Sequence, residues 1–435
     1  MTRIDIVSNS DSAGGANRAA FRLYRALRAV VPATRMTVAH KGGDDWGVRG
    51  PAGFAAKAGY WLRPKLGAGL AALQRSADPN IRSINLLPSR LARRIDGGDA
   101  DVLNLHWVGG ETMSIEDLGR IRKPVVWTFH DMWPLCGAEH FAPDGPEARW
   151  RHGYHRDNRG AGASGLDVDR HTWNRKRRAW IRPLHVVTPS RWLADCVAGS
   201  ALMGHWPVSV VPNVLDTQVF KPLDRAFSRH ALNLAPDAYI VLFGALGGSR
   251  DARKGYDLLL ATLAVLAGRR ADIRCVVLGQ GEPERGAALP FPVTWMGHVS
   301  DDATLALLYS AADVVVTPSR QENLPQSATE AHACACPVVA FDCGGLPDVV
   351  EHGATGYLAR AFDPADLAHG IDWVLEDRER RRALGAAARA RALRLWSPRA
   401  VLPAYLEVFE AARASQARGA ARQGEGGPAL AEPRR

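Results

Sequence analysis

The chain contains no uninterrupted apolar stretch of about 18 residues, the length that a membrane-spanning helix requires. Its first residues suggest a strand followed by a polar loop, without the apolar core of a secretory signal peptide. Cysteine is scarce: six residues lie scattered in apolar contexts with no C-x-x-C pair, which indicates a reducing compartment and no metal site. No Asp-x-Asp motif follows a predicted strand. We therefore expect a cytoplasmic protein that needs no metal or other cofactor.

Acidic residues are also in deficit. The chain has 45 Asp and Glu against 55 Lys and Arg, for a net charge of +10 and a pI of about 9.6. This balance favours an anionic partner, and the charge alone leaves nucleic acid, an anionic membrane and an anionic substrate open. A chain of 435 residues exceeds one ordinary core, so two or three domains are expected.

Two basic segments stand out. Residues 52–73 are apolar but interrupted by three cations, with Tyr60 and Trp61 among them. Such a segment is either an interfacial segment on an anionic membrane or a loosely packed surface helix. Residues 149–182 hold ten Arg or Lys against three Asp, which predicts a mobile basic loop leading into a short helix. This loop either docks a diphosphate-lipid or membrane surface or is simply solvated. Nucleic acid is not expected, because no recognised binding module accompanies the charge.

The chain is organised around residues 314–345. An apolar run ends at Pro318, which cannot continue a central strand, and a polar loop follows. Pro325 occupies a predicted first helical position, and a second apolar run then leads to a turn at Gly344 and Gly345. This order of strand, loop, helix, strand and glycine turn predicts one unit of a parallel α/β sheet, with the loops at the carboxyl ends of the strands.

The predicted helix start suits a nucleotide. Free N–H groups near Pro325 and the positive end of the helix dipole favour a phosphate. Glu330, about one turn into the helix, is placed to accept two neighbouring hydroxyls such as those of a ribose. Glu322, on the preceding loop, would reach a sugar beyond the phosphates. The alternative is two solvated acids near a helix start, where acids are common.

Glu322 and Glu330, with Pro318 and Ser319 before them, resemble the E-x7-E motif of retaining glycosyltransferases of the family 4 type. This large family includes sucrose, mannosyl and exopolysaccharide synthases. The resemblance implies a GT-B fold: an α/β protein with two Rossmann-like, doubly wound lobes facing each other across a cleft. It also implies contacts with the sugar donor around the helix start, at Leu324, Pro325 and Gln326.

The same resemblance divides the chain. Residues 1–225 would form an N-terminal, acceptor-side lobe, and residues 226–395 a C-terminal lobe that binds the nucleotide-sugar. A helix at 396–412 would return to the N-terminal lobe. The Ala, Arg, Gly and Gln composition of residues 413–435 predicts a disordered basic tail.

A histidine ends each of two buried-strand patterns in the first half of the chain. His106 precedes Trp107, and His130 begins the sequence HDMWP. Side chains at the carboxyl ends of parallel strands face the ligand crevice, although a lone histidine is more often structural. The segments NSDSAGGANRAA, NLHW and HDMWP resemble glycosyltransferases of the colanic-acid and exopolysaccharide type. That resemblance implies that His130 lies beside the transferred sugar.

Gly14 and Gly15 separate the first predicted strand from the first helix. Two glycines there form either an ordinary turn or a cradle for a phosphate. The resemblance implies the cradle, on the opposite side of the cleft from the nucleotide-binding lobe.

Arg253 and Lys254 precede another predicted helix. Two cations at this place either neutralise a diphosphate leaving group or merely cap a loop. Lys254 matches a K-G motif of the family. The family's usual arginine position holds Ala245 in this chain, and Arg253 or Arg250 would take its place.

These observations predict a retaining enzyme that moves a hexose from a nucleoside diphosphate sugar to a glycan acceptor. Its catalytic residues would be His130, Glu322 and Lys254, with no metal. The resemblance implies a lipid-linked acceptor in bacterial exopolysaccharide or lipopolysaccharide synthesis, and peripheral contact with an anionic membrane is a further expectation. The sugar, the base and the acceptor stay undetermined.

Three other functions compete with this prediction. A nucleotide-sugar epimerase on the same fold is the first, and the acceptor-side resemblance argues against it. A glycoside hydrolase needs two carboxyls about 5 to 9.5 Å apart, whereas residues eight apart on a helix lie about 12 Å apart. From a different class, the chain would be a non-catalytic GT-B-like protein that binds a polyanion or nucleic acid. Salt-sensitive binding without turnover would favour that alternative.

Overall fold

In the computed structural model, which describes residues 2–12, 14–76, 80–160, 162–244, 251–282 and 289–425, two parallel sheets form the centres of two lobes. The strands of the first lobe are β1 (Ile4–Ser10), β2 (Arg35–His40), β3 (Val48–Arg49), β4 (Gln74–Arg75), β5 (Val102–Leu105), β6 (Val125–Thr128), β7 (Ser164–Gly165), β8 (His185–Thr188) and β9 (Val208–Val210). The first sheet has the order β3-β2-β1-β5-β6-β8-β9, and its pairs are all parallel. β5 and β6 are buried along their whole length, as expected of parallel strands covered on both faces.

Helices cover this sheet. They are α1 (Gly14–Val30), α2 (Phe54–Ala71), α3 (Arg90–Asp96), α4 (Ile115–Gly119), α5 (Arg149–His152), α6 (Val168–Ala179) and α7 (Arg191–Ala198). Helix α1 buries Ala20, Leu23, Tyr24 and Leu27, which recur at helical spacing, in a core shared with β1 and β2. The antiparallel pair β4 and β7 lies outside the main sheet.

The second lobe repeats this plan. Its strands are β10 (Tyr239–Gly244), β11 (Ile273–Leu278), β12 (Val293–Trp295), β13 (Val314–Thr317), β14 (Val338–Phe341) and β15 (Gly356–Ala359), in the parallel order β12-β11-β10-β13-β14-β15. Its helices are α8 (Arg225–Ala231), α9 (Tyr256–Ala267), α10 (Asp302–Ala311), α11 (Gln326–Ala333), α12 (Leu346–Val349), α13 (Pro364–Glu376) and α14 (Arg378–Trp396). The strand order changes direction at β10 and β13, and a crevice for ligands is expected beyond their carboxyl ends.

A final helix, α15 (Pro398–Glu425), packs on the first lobe. Val401, Tyr405 and Phe409 are buried in the same core as β1 and α1, and the Tyr405 hydroxyl lies 3.4 Å from Thr128 Oγ1. The prediction of a disordered tail from residue 413 is wrong for residues 413–425, which continue this helix, and Gln416 donates to a carbonyl of the first lobe. Alanine, arginine and glutamine are good helix formers, so a docked helix extends readily through them.

Two local predictions also need correction. Gly14 and Gly15 belong to the first turn of α1 instead of a separate loop, and Gly14 has a φ of +80°. Pro325 is the residue before α11 instead of its first residue. Among the described helices, none combines the length and the apolarity that crossing a bilayer would require.

Candidate functional site

A cavity that opens to solvent lies at the carboxyl ends of β10, β11 and β13. Phe243, Leu278 and neighbouring apolar side chains form part of its wall, and Lys254, Glu322 and Ser327 bring polar groups to it. An apolar pocket with a few convergent polar groups at this end of an α/β sheet is the usual place for a small ligand. The organising stretch of the sequence thus lines the cavity.

Glu322 lies on the loop between β13 and α11 and is only 8% exposed. Its Oε1 accepts hydrogen bonds from Lys254 Nζ and from Ser319 Oγ, the latter at 3.2 Å. The glycine turn after β14 packs against this loop, where the Gly345 N–H donates to the Glu322 carbonyl at 2.8 Å. A Cβ on Gly345 would lie 1.6 Å from the Asn323 carbonyl oxygen, so any side chain there would displace the loop that carries Glu322.

Lys254 is held by a tight turn. It ends the 3₁₀ segment Ala252–Lys254, and Gly255 follows with a φ of +66°. A Cβ on Gly255 would lie 1.9 Å from the carbonyl oxygen of Pro318, so only glycine allows the turn to lie against the end of β13. This close approach brings the Lys254 ammonium to Glu322.

Arg253 makes different contacts. It pairs with Asp251 at 2.6 Å, and its guanidinium lies 3.8 Å from the ring centroid of Phe141 in the first lobe. A cation over an aromatic face is attracted by the ring quadrupole, so this contact helps to join the lobes. Its rival Arg250, and Ala245 at the family's arginine position, lie outside the described residues.

The N-terminus of α11 faces the first lobe. Pro325 precedes the helix without a side-chain cap, so the first N–H groups and the positive end of the dipole are not capped by that residue. Gln326 donates from Nε2 to the carbonyl of Gly15 and accepts at Oε1 from Arg22 at 2.8 Å. The start of α1, with Gly14 and Gly15, therefore lies across the cleft from the start of α11.

Glu330 also faces the first lobe, although it is only 3% exposed. Its Oε1 pairs with Arg22 of α1 at 2.7 Å, and its Oε2 accepts from the Tyr309 hydroxyl at 2.9 Å. Arg22 in turn pairs with Asp302 at 3.0 Å. Burial and the Glu330 charge raise the pKa of Tyr309 well above its usual value, so this hydroxyl stays a donor.

His130 follows the end of β6 and is half-buried. Asn323, the residue after Glu322, donates to the backbone carbonyl of His130 at 3.2 Å and accepts from Ser190 at 2.6 Å. These bonds between the lobes place His130 beside the loop of Glu322. Burial lowers the pKa of the His130 imidazole to about 4, against an opposing effect of the neighbouring Asp131 charge.

Sequence reasoning missed the network that holds the loop after β6. Asp131 accepts from His140 Nδ1 at 2.6 Å and from Trp107 Nε1 at 2.8 Å, while Ser83 Oγ lies 2.7 Å from His140 Nε2. Ser83, Asp131 and His140 are all buried, so the network stabilises the loop. Only the HDMWP motif pointed toward it, because no sequence pattern links Asp131 to His140 or Ser83.

The predicted donor residues do not all face one space. Lys254 and Glu322 line the cavity, whereas Gly15, Gln326 and Glu330 lie at the contact between the lobes. The side chain of Leu324 is 7% exposed and packs in the core of the second lobe.

Helix α2 exposes an apolar and basic face. Trp61 is 62% exposed, and Lys65 Nζ lies 3.2 Å from its ring centroid. Residues 46–77 contain no Asp or Glu. Arg63 fixes the helix to the lobe through the carbonyls of Leu87, Pro88 and Glu111. The large exposed apolar side chains of residues 52–73 are Phe54, Trp61, Leu62, Leu66 and Leu73.

The second basic segment meets this helix. β4, just after α2, pairs with β7, and the Leu166 N–H donates to the Leu73 carbonyl at 3.1 Å. The short helix predicted within residues 149–182 is α6, where Lys176 is fully buried and donates to three backbone carbonyls of residues 133–137. The basic loop predicted before it is held in part, because Arg149 pairs with Asp167 at 2.9 Å.

Comparisons with known proteins agree with this architecture. A sequence model of the family described as Glycosyl transferases group 1 matches residues 224–391. A protein named D-inositol 3-phosphate glycosyltransferase from Pseudarthrobacter chlorophenolicus is 30% identical over 344 residues, which cover 74% of this chain and 73% of that protein. The matches to the first three curated relatives, which carry the same name, cover only 43% to 60% of their lengths. These names give no support to the narrower colanic-acid prediction.

Solved structures show the same fold. Sucrose-phosphate synthase from Thermosynechococcus elongatus aligns with a TM-score of 0.66 at 19% identity, covering 95% of this chain and 100% of that chain. HepE from Anabaena, solved in complex with UDP and glucose, aligns with a TM-score of 0.62 at 17% identity, covering 94% and 100%. The predicted GT-B fold, with two Rossmann-like lobes, is confirmed.

Proposed function

Because this chain belongs to the glycosyl transferases group 1 family, we propose that it transfers a hexose from a nucleoside diphosphate sugar to an acceptor hydroxyl, with retention of configuration. The observation that carries the proposal is the meeting of Lys254 and Glu322 in one cavity at the carboxyl ends of the second sheet. The cation suits a diphosphate, and the carboxylate suits sugar hydroxyls. HepE, with the same fold, was solved with UDP and glucose, so a UDP-sugar is the first donor to test.

In the proposed reaction the bond between the sugar C1 and the diphosphate oxygen breaks, and its electron pair leaves with the diphosphate. The acceptor oxygen bonds to C1 on the same face, and its proton passes to the departing phosphate oxygen. Lys254 and the N-terminus of α11 would offset the charge on the diphosphate, while Glu322 would hold the sugar beside His130. Contact between the lobes would keep water from the oxocarbenium-like centre.

Donor binding would exchange the salt-bridge partner of Lys254. In the structure, Lys254 and Glu322 form a salt bridge. A diphosphate would take over the ammonium and release Glu322 for the sugar, so one exchange of partners would prepare both groups. Since Lys254 and the α11 dipole together supply positive charge at the leaving group, we propose that the reaction needs no metal.

For the acceptor we propose a lipid-linked glycan at an anionic membrane, as in exopolysaccharide or lipopolysaccharide synthesis. The supporting observation is the exposed face of α2, which offers aromatic, aliphatic and cationic side chains without an acid. A small inositol phosphate is the second candidate, because the matched relatives carry D-inositol 3-phosphate glycosyltransferase names. Parallel transfer assays with the two acceptors separate these candidates.

A thermal-shift panel of UDP, GDP and TDP sugars on the full chain tests the donor proposal. One sugar nucleotide is expected to raise the melting temperature, because a ligand that binds only the folded state stabilises it. A panel without any shift would contradict the proposal. Salt-sensitive binding of polyanions without sugar transfer would favour the non-catalytic alternative.

A further inference from the structure

His130 is the last of three hydrogen-bonded side chains that lead from β5 to the cleft. Asn104 Oδ1 lies 3.0 Å from His106 Nε2, and His106 Nδ1 lies 2.8 Å from His130 Nε2. The two imidazoles are stacked, with ring centroids 5.1 Å apart and an interplanar angle of 23°. Asn104 and His106 are buried, whereas His130 is half-buried beside the second lobe. A buried chain of this kind controls which ring nitrogens carry hydrogen.

The direction of the chain follows from Asn104. Its Nδ2 donates to the Val126 carbonyl at 3.1 Å, and because a carbonyl only accepts, the amide has one satisfactory orientation. Oδ1 therefore faces His106 Nε2 and must receive a hydrogen from it. A neutral imidazole carries one N–H, so His106 Nδ1 is bare and accepts from the Nε2–H of His130. The same argument leaves His130 Nδ1 bare.

Both rings are neutral near pH 7. Burial lowers the pKa of His130 to about 4 and that of His106 well below its ordinary value. The charged group closest in sequence is Asp131, and its carboxylate is occupied by His140 and Trp107. His130 Nδ1 has no hydrogen-bond partner among the residues that the structure describes, so it is the ring atom left for a ligand.

We propose that Asn104 and His106 are positioning residues that fix His130 in its Nε2–H tautomer, so that Nδ1 accepts a hydrogen bond from a hydroxyl of the bound sugar. The tautomer follows from the hydrogen bonds of Asn104, His106 and His130, whereas the contact with a sugar rests on the proposed function. His130 is then an acceptor and not a general acid. A sugar that lacks the matching hydroxyl would leave Nδ1 unpaired in a half-buried site, which disfavours deoxy sugars at this position.

Nitrogen NMR of the full chain with ¹⁵N-labelled histidine tests the tautomers without any substrate. His106→Gln and His130→Gln assign the two rings. Both rings are expected to be neutral at pH 7 with hydrogen on Nε2. In Asn104→Leu the acceptor is gone, so both rings are expected to shift toward the Nδ1–H form. His185→Gln is the matched control and should leave both signals unchanged, because His185 lies on β8 with its Nε2 3.1 Å from Ser209 Oγ.

A second pair of variants keeps the test decisive if Asn104→Leu fails to fold. In His106→Gln the side-chain oxygen replaces Nδ1 and the amide nitrogen replaces Nε2, so the tautomer of His130 should persist. In His106→Leu the Nε2–H tautomer of His130 should not persist. Hydrogen on His106 Nδ1, a protonated ring at pH 7, or a His130 signal that is the same in both variants would overturn the inference.

Transfer assays then separate this inference from the proposed function. His106→Leu is expected to lower kcat about 10-fold, as for one lost hydrogen bond, and His106→Gln to restore most of it, with KM for the acceptor unchanged in both. If the tautomers are as predicted but the protein has no transfer activity, the proposed function is overturned and the role of Asn104 and His106 stands. If the protein is active but the tautomers are the opposite ones, only the role of Asn104 and His106 is overturned.

Discussion

Arg22 of α1 and Glu330 of α11 form a 2.7 Å salt bridge that joins the two lobes, and their side chains are 9% and 4% exposed. The second oxygen of Glu330 accepts from Tyr309. The carboxylate that the sequence analysis assigned to a ribose is therefore paired with groups of the protein itself. For Glu330 to hold a ribose, as its sequence position predicts, the sugar hydroxyls have to share or replace Arg22.

Replacing Arg22 with Met is expected to lower the free energy of unfolding by about 3 kcal/mol, because removal of one partner leaves a buried charge unpaired. Thermal unfolding monitored by circular dichroism measures the loss. Arg18→Met is the matched control one turn earlier on α1. Its partner Asp302 is 34% exposed, so a loss below about 1 kcal/mol is expected. Equal losses in the two variants would show that the buried Arg22–Glu330 bridge contributes no more to stability than the more exposed Arg18–Asp302 bridge.

Lys254→Ala is expected to reduce turnover by about 100-fold or more while the fold stays intact, because one preorganised charge at the leaving group is lost. Sugar transfer measured with saturating donor gives the ratio. Arg360→Ala serves as the control, since Arg360 of the second lobe is 77% exposed and pairs with Asp363 at 2.9 Å. Near-normal turnover in Lys254→Ala would disprove the assignment of this cation.

The double variant Trp61→Ala, Lys65→Ala is expected to bind anionic vesicles about 10-fold more weakly, because it removes one exposed aromatic and one cation from α2. Co-sedimentation with phosphatidylglycerol and phosphatidylcholine vesicles measures binding. Trp46→Ala removes another exposed tryptophan of the first lobe, outside α2, and should have no effect. If all three proteins bind anionic and neutral vesicles alike, α2 is only a surface helix.

Acid is expected to destabilise the protein through His332 of α11. Its ring is fully buried against Trp396, and burial together with the charge of Arg391 lowers its pKa to about 3. Between pH 6.5 and pH 3 the unfolded chain binds a proton that the folded chain does not, so stability falls as the pH falls. The contribution lost from pH 7 to pH 5 is about 2 kcal/mol.

His332→Leu should therefore flatten the pH dependence of unfolding by urea over this range. His205→Gln, at an exposed position, should leave the dependence unchanged. A slope that is identical in His332→Leu and in the parent protein would contradict the assignment.

The parallel α/β architecture and the helix at Gln326–Ala333 were predictable from sequence, because apolar runs, Pro318 and the Gly344-Gly345 turn act locally. The bridge between Arg22 and Glu330 was not, since it joins residues of different lobes and depends on how those lobes meet. The hydrogen bond between His140 and Asp131 was not predictable from sequence either. The tail prediction failed for residues 413–425 because composition cannot show that α15 has a surface on which to dock, while residues 426–435 lie outside the described residues.

A crystal structure of the full chain with a bound nucleoside diphosphate sugar tests the central claim most directly. The account predicts the diphosphate between the start of α11 and the start of α1, within hydrogen-bond distance of Lys254, and the sugar between Glu322 and His130. A diphosphate bound outside the cleft, or bound in it while Lys254 and Glu322 keep their mutual hydrogen bond, would contradict it.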